Sequence, residues 1–221
     1  KSVKINHIMD NFLQRFFDIF FSGLAILALG PLFIITIIIL KFTGEGEIFY
    51  TQDRVGKDKK IFNLLKFATM LKNSENLGSG TVTVKDDFRV LPFGKLLRKT
   101  KINELPQLFN IFYGNMSVIG PRPLHTKQFS FYEDNDQKLI SSVLPGLSGI
   151  GSIIFRDEEN ILQNSSDPDL TYKLVITPKK AELEKWYTKN KGIYLYFKLI
   201  MLTIYAVLIP NKDMKVFFKD I

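Results

Sequence analysis

The chain has no cysteine among its 221 residues, which excludes disulfide frameworks and thiolate-bound metal and fits a reducing compartment. Histidine is almost as scarce, and His7 and His125 alone leave little room for an imidazole zinc site. Acidic side chains are outnumbered, 22 against 30 basic ones, for a net charge of +8. That balance suits an anionic partner such as nucleic acid, acidic lipid or a phosphorylated substrate, and it equally describes a well-solvated surface. No internal repeat or low-complexity tract is evident. Nor is there a helix-turn-helix pattern, a zinc-finger spacing or a basic stripe with interleaved aromatics, so no nucleic-acid partner is expected. The length suffices for one domain with its own core, with or without a membrane anchor.

Charge of either sign is missing from Ile19 to Leu40, a run of 22 residues. Roughly 20 apolar residues cross a bilayer as a helix, whereas the apolar part of a signal peptide is about 7–15 residues long. Lys41-Phe42-Thr43 is not a cleavage site of small residues. The run therefore reads as a membrane helix, with a buried core helix as the soluble counterpart. Gly30-Pro31 falls near its middle, where proline removes a backbone donor and bends the helix. Either a kinked span or a helix that enters and leaves one leaflet follows. In the second case freed carbonyls need partners, and Ser22 and Thr36 are the nearby polar side chains. Lys and Arg flank both ends, so the positive-inside tendency gives no asymmetry and both ends suit the cytoplasmic face.

Beyond Lys41 the composition is that of a mixed soluble domain. Glu47–Gln52 and Lys60–Phe67 have the alternation of short strands and are separated by the turn-like Arg54–Asp58, which predicts a hairpin. Ser74–Gly80 reads as a polar loop and Thr81–Val84 as a brief strand. Helices are predicted over Gly94–Lys99, over Glu104–Tyr113 with Gly114 as its C-terminal cap, and from Pro178 through Tyr187. Leu195–Ile209 is a second apolar stretch, with Lys198 inside it and too short for a span. Its aromatic and lysine content suits a helix lying in the membrane interface, and a core helix fits the pattern equally. Exposed apolar surface there would serve lipid or a second subunit in a homodimer.

Asn103-Glu104 reads first as a plain helix start, with Asn as N-cap, Glu in the first turn and Pro106 where proline is tolerated. A helix N-terminus is also an anion site, and Arg98, Lys99 and Lys101 stand just upstream, which would suit a diphosphate. Arg122 lies between two prolines that would stiffen its loop.

Taken together, Lys99-Thr100-Lys101-Ile102-Asn103-Glu104-Leu105-Pro106-Gln107, Gly114-Asn115-Met116-Ser117-Val118-Ile119-Gly120-Pro121-Arg122-Pro123, Pro145-Gly146-Leu147-Ser148-Gly149 with Arg156, and Asp87-Phe88-Arg89-Val90 resemble the motifs of the bacterial sugar transferases. The closer resemblance is to the monotopic phosphoglycosyl transferases. It implies an α+β fold: a re-entrant helix broken at Pro31 (residues 1–42), a small helix-rich cytosolic catalytic domain with a short hairpin (43–190), and an interfacial C-terminal segment (191–221). It also implies a bacterial inner-membrane enzyme, with its catalytic domain on the cytoplasmic face, that moves a sugar-1-phosphate from a UDP-sugar onto polyprenol phosphate. In such enzymes an Asp attacks the β-phosphorus, UMP leaves, the adjacent Glu binds Mg²⁺, and arginines hold the phosphates. Glu104, Arg98, Arg122 and Arg156 match those positions, and Lys66 and Arg89 stand in matching motifs of the substrate-binding set.

Three positions depart. Asn103 stands where the family has the nucleophilic Asp, and a neutral amide cannot form an acyl phosphate. Ala68 in Lys66-Phe67-Ala68-Thr69-Met70 replaces a usual Arg, and Asn115 replaces a usual Asp. The paired loss of an anion and a cation implies a divergent site. Three schemes remain: the lipid phosphate attacks the UDP-sugar directly, Glu104 takes over as nucleophile, or the protein is a silent relative that binds lipid phosphate or nucleotide sugar as a scaffold.

Overall fold

The computed structural model describes residues 2–76, 87–156, 158, 162, 165, 167–209 and 213–218. The strand expected at Thr81–Val84 and the end of the Ser74–Gly80 loop lie outside them. The fold is helix-rich with two small two-stranded sheets. Two compact units interleave along the chain, one from residues 1–21, 53–62 and 111–221, the other from 22–52 and 63–110.

The apolar run forms two helices, α1 (Ser2–Ala28) and α2 (Gly30–Phe42). The break falls at Leu29, whose backbone leaves the helical region (φ −91°, ψ 2°), with Pro31 in the first turn of α2, where a missing N–H costs nothing. Met9–Ala28 is long and apolar enough to cross a membrane. Phe12, Phe16, Phe20, Leu24 and Leu27 on α1 are exposed, as are Ile34, Ile35 and Ile38 on α2. Ser22 and Thr36 are buried.

In the second unit, α2 packs through Phe33, whose ring lies 5.5 Å from Phe67 and 5.7 Å from Phe109. The predicted hairpin is present as β1 (Phe49–Val55) and β2 (Ile61–Phe67), joined by a tight turn over Lys57–Lys59 in which Asp58 and Lys59 take positive φ. Asn110 reads the β2 backbone from the side, accepting from Leu65 N–H and donating to the Asn63 carbonyl. α3 (Pro92–Lys99) starts on Pro92. Gly94 lets it approach the strand exit, since a Cβ there would overlap the Thr69 carbonyl.

The helix expected over Glu104–Tyr113 requires correction. Residues Ile102–Glu104 form one 3₁₀ turn, and the α-helix α4 runs only from Gln107 to Tyr113. Pro106 has no N–H to give the Ile102 carbonyl, which instead accepts from Leu105 in a tighter turn. Asn103 is therefore not an N-cap, and that position falls to Lys101 in the left-handed region (φ 59°). A seven-residue α4 whose helical start lies beyond Asn103-Glu104 also removes the dipole argument for a diphosphate there.

Gly114 closes α4 as predicted, with φ +92° and its N–H on the Ile111 carbonyl. Arg15 of α1 adds donors to the carbonyls of Ile111 (2.6 Å) and Phe112 (2.7 Å), so a cation sits at the negative end of the helix.

In the first unit β3 (Ser117–Ile119) pairs in parallel with β4 (Gly146–Ser148), Ser117 opposite Gly146 and Ile119 opposite Ser148. A parallel pair needs a crossover, and the connection carries α5 (Thr126–Phe129) and α6 (Asp134–Ile140). The chain continues through α7 (Ile150–Ile154), α8 (Pro168–Thr171), a π-turn at Tyr172–Ile176, α9 (Thr177–Asn190) and α10 (Ile193–Leu208). α10 is a core helix that keeps an exposed apolar side. Leu195, Tyr196, Leu199, Leu202 and Ala206 enter a core with Ile119, Ile150, Ile153 and Tyr187, while Tyr194, Met201, Ile204, Val207 and Leu208 are exposed.

Candidate active site

Five of the sequence-predicted residues fall in the second unit. Lys66 lies on β2 and is half-buried, followed by a buried Ala68 whose N–H bonds the Ile48 carbonyl. The segment then runs against α3, where Gly94 meets Thr69 and Met70 bridges Val90. α3 carries Arg98, half-buried, in its last turn, and the chain passes through left-handed Lys101 into the turn bearing Asn103 and Glu104. Positive φ at a lysine costs energy that the surrounding turn must supply. It is the kind of local strain that fixes a side chain's direction.

Asn103 is 8% exposed, and its Oδ1 has no hydrogen-bond partner. Four residues on, Gln107 is buried with its Nε2 likewise unpartnered. A buried polar atom left unsatisfied costs free energy, so it is retained where something else engages it. Glu104 beside it is half-buried.

Arg89 has a different place from that of a solvent-facing phosphate ligand. It is 1% exposed and bound bidentately to Asp87, with Nε–Oδ1 at 2.8 Å and Nη2–Oδ2 at 2.5 Å, and it also donates to the Ser74 carbonyl. The pair holds its guanidinium charged, chiefly through the hydrogen bonds to Asp87. It is a strut that fixes the turn, leaving Phe88 exposed at its tip.

Arg122 and Arg156 belong to the first unit. There the structure joins two motifs, Gly114–Pro123 and Pro145–Gly149, that are separated by 21 residues in sequence. Ser117 N–H bonds the Pro145 carbonyl, Gly120 N–H the Ser148 carbonyl, and Gly146 N–H the Pro121 carbonyl. The crossing is made by glycines, because a Cβ on Gly146 would overlap Gly120 N and one on Gly149 would overlap Gly120 O. Arg122 emerges exposed from this crossing, and Arg156, half-buried after α7, donates to the Ala206 carbonyl at 2.8 Å.

Beneath them lies a residue the sequence did not single out. Glu184 of α9 is 3% exposed, and burial pushes its carboxyl up to about 8 against the pull of Lys180 and of the Arg122 and Gly151 amides. Its place in a helix of charged residues gave no signal, although Gly151 and the glycine-rich loop before it are the trace of its close approach.

A metal has few acidic partners here: among the described residues no group of three or more His, Asp or Glu is placed to hold one. Mg²⁺ needs less, because it commonly takes one or two protein oxygens and completes its shell with substrate phosphates and water. The Glu104 carboxylate is a donor of that kind.

The sequence profile of bacterial sugar transferases matches residues 9–210. The chain belongs to this family. It is 31% identical over 223 residues to UDP-N-acetylgalactosamine-undecaprenyl-phosphate N-acetylgalactosaminephosphotransferase of Aeromonas hydrophila, covering 93% of this chain and 49% of that protein. To UDP-glucose:undecaprenyl-phosphate glucose-1-phosphate transferase of Klebsiella pneumoniae it is 32% identical over 197 residues, 87% of this chain and 39% of that one. To exopolysaccharide production protein ExoY of Sinorhizobium fredii the identity is 35% over 159 residues, 66% and 70% of the two chains. The chain thus spans about half the length of the Aeromonas protein and less of the Klebsiella one.

Proposed function

We propose that this sugar transferase moves a sugar-1-phosphate from a UDP-sugar onto polyprenol phosphate, most simply undecaprenyl phosphate, giving polyprenyl-diphospho-sugar and UMP. The observation that carries the reading is the family match over 9–210, a span that contains Glu104, Arg98, Arg122 and Arg156. Two relatives are named for this type of transfer with different sugars, so the sugar is not read across. The apolar faces of α1, α2 and α10 support a location at a membrane, with α1–α2 entering and leaving one leaflet at the Leu29–Pro31 break and the catalytic residues on the cytoplasmic side.

The chemistry we favour is direct transfer. An oxygen of the lipid phosphate attacks the β-phosphorus of the UDP-sugar, the bond from that phosphorus to the bridging oxygen breaks, and UMP leaves with the electron pair. Asn103 supplies no carboxylate for a covalent intermediate. Nor does Glu104 inherit its direction, since successive residues of a 3₁₀ turn point about 120° apart. Asn103 instead offers its amide as a neutral hydrogen-bonding group beside the phosphates. Glu104 would hold Mg²⁺, which when bound neutralises diphosphate charge. Lys66, Arg98, Arg122 and Arg156 hold phosphate oxygens, and Arg89 acts through the turn it braces.

The test is UMP release by purified protein with a panel of UDP-sugars, with and without undecaprenyl phosphate. Release only when both are present supports direct transfer, whereas stoichiometric release without lipid refutes it. No release with any sugar, with turnover regained in Asn103→Asp, would establish the silent-relative reading that the amide at this position favours.

A further inference from the structure

Glu184 is an expensive residue in an unusual place. It is buried on α9, with Oε2 lacking any hydrogen-bond partner. Its carboxyl stands between two separate segments: Arg122, between its two prolines, with which it lines a common cavity, and Gly151, in the first turn of α7. Gly151 is in contact with it, because a Cβ there would overlap Oε1. Oε1 is thus the oxygen turned toward the Gly151 backbone, and Oε2 is the unpartnered one. The nearest cation, Lys180, is one turn earlier on α9 and is itself engaged, paired with Glu158 and lying over the rings of Tyr172 (5.4 Å) and Phe155 (5.8 Å). Glu184, Pro121, Arg122 and Pro145 line one small cavity of about 20 Å³, too small for more than a single water.

A buried acid that merely filled space would be replaced by an apolar side chain at no loss. What an apolar side chain cannot do is accept a hydrogen bond from the backbone amides on either side of it. Pro121 fixes its own φ, and Pro123 restricts Arg122 to extended backbone, so an acceptor for the Arg122 N–H would remove the last freedom of the turn.

We propose that Glu184 is a positioning residue of this transferase: its buried carboxyl ties the Arg122 backbone to the Gly149–Gly151 loop and so fixes the direction in which the Arg122 guanidinium meets a substrate phosphate. The proposal rests on the reading that Arg122 holds a phosphate of the UDP-sugar. Its geometric part, that one side chain ties two loops, stands apart from that reading.

The experiment uses the full chain in lipid nanodiscs and three variants. Glu184→Met removes the acceptor, Glu184→Gln keeps an oxygen at Oε1, and Gly151→Ala pushes that oxygen away while leaving the acid in place. Each is assayed for UDP-sugar-dependent UMP release and for amide hydrogen exchange at Arg122 and Gly151. In Glu184→Met, exchange at both amides accelerates tenfold or more, and KM for the UDP-sugar rises tenfold or more while kcat changes less. Glu184→Gln stays within threefold of the parent in both measurements. Unchanged exchange in Glu184→Met overturns the proposal, as does equal impairment of Glu184→Gln. If the parent chain releases no UMP, the reading of Arg122 fails and exchange alone decides whether Glu184 ties the loops. If Glu184→Met does not fold, Gly151→Ala is held to the same two outcomes.

Discussion

Tyr196 of α10 donates its phenolic hydrogen to Asp18 of α1 at 3.0 Å. The same carboxylate oxygen accepts from Ser117 Oγ (3.0 Å) and Val118 N–H (2.8 Å), and Gln14, one turn earlier, reaches Ser117 Oγ and the Ile119 carbonyl. A single buried acid thus binds the N-terminal helix to the strand that leads into Arg122. Tyr196→Phe should cost about 1–2 kcal/mol and Asp18→Ala about 3–5 kcal/mol, because the second strips an acceptor from three donors, two of them buried. Thermal unfolding in detergent checks both. Equal melting temperatures for parent and Asp18→Ala would show the network to be ornamental.

Asn103→Asp supplies the missing carboxylate beside Glu104. We expect this variant, unlike the parent, to release up to one equivalent of UMP from the preferred UDP-sugar without lipid acceptor. Mass spectrometry of the trapped protein should then show an added phospho-sugar. A parent that already gives that mass would contradict direct transfer.

Glu104→Gln should lower turnover by on the order of a hundredfold or more, whichever group attacks, because the side chain loses the charge that would hold a divalent ion. Titration of Mg²⁺ separates this from misfolding. The parent should be inactive in chelator and recover on adding metal, and normal turnover of the variant would refute the metal role.

Glu184 binds its proton more tightly in the folded chain, at about 8, than the ordinary glutamate range near 4.5 allows, chiefly because of burial. The folded state therefore holds more protons between those values, and stability must fall as pH rises through that window and level off above about 8. The loss is at most on the order of 5 kcal/mol, since each unit of separation is worth about 1.4 kcal/mol. Glu184→Gln carries no proton to lose, so its melting temperature should gain on the parent's from pH 5 to pH 8. A constant difference over that range would show that Glu184 is ionised throughout.

Much of this was legible in the sequence where a single residue dictates the backbone. Pro31 marks the helix break to within two residues, the alternation of Lys60–Phe67 gives a strand, and Gly114 closes its helix. Pro106 shows the limit of that rule, because a proline expected to be tolerated in a first turn deprives the Ile102 carbonyl of its donor and splits the helix in two. The pairing of β3 with β4 was illegible because three-residue strands are too short to show a period of two. Asp18 escaped notice because it stands just outside the uncharged run, where only the fold reveals three donors around it. Within the candidate site, sequence cannot tell an arginine that braces a turn, Arg89, from one that is exposed, Arg122.

The crossing of Gly120 with Gly146 and Gly149 is backbone against backbone, with no side chain between. Elsewhere in the core a lost methyl can be compensated by a neighbour's gain, so drift there is gradual. Here no neighbour exists to compensate, and the alphabet at these positions shrinks to one letter. Variation in what the transferase accepts must therefore enter through the residues the crossing displays and leave the crossing itself untouched.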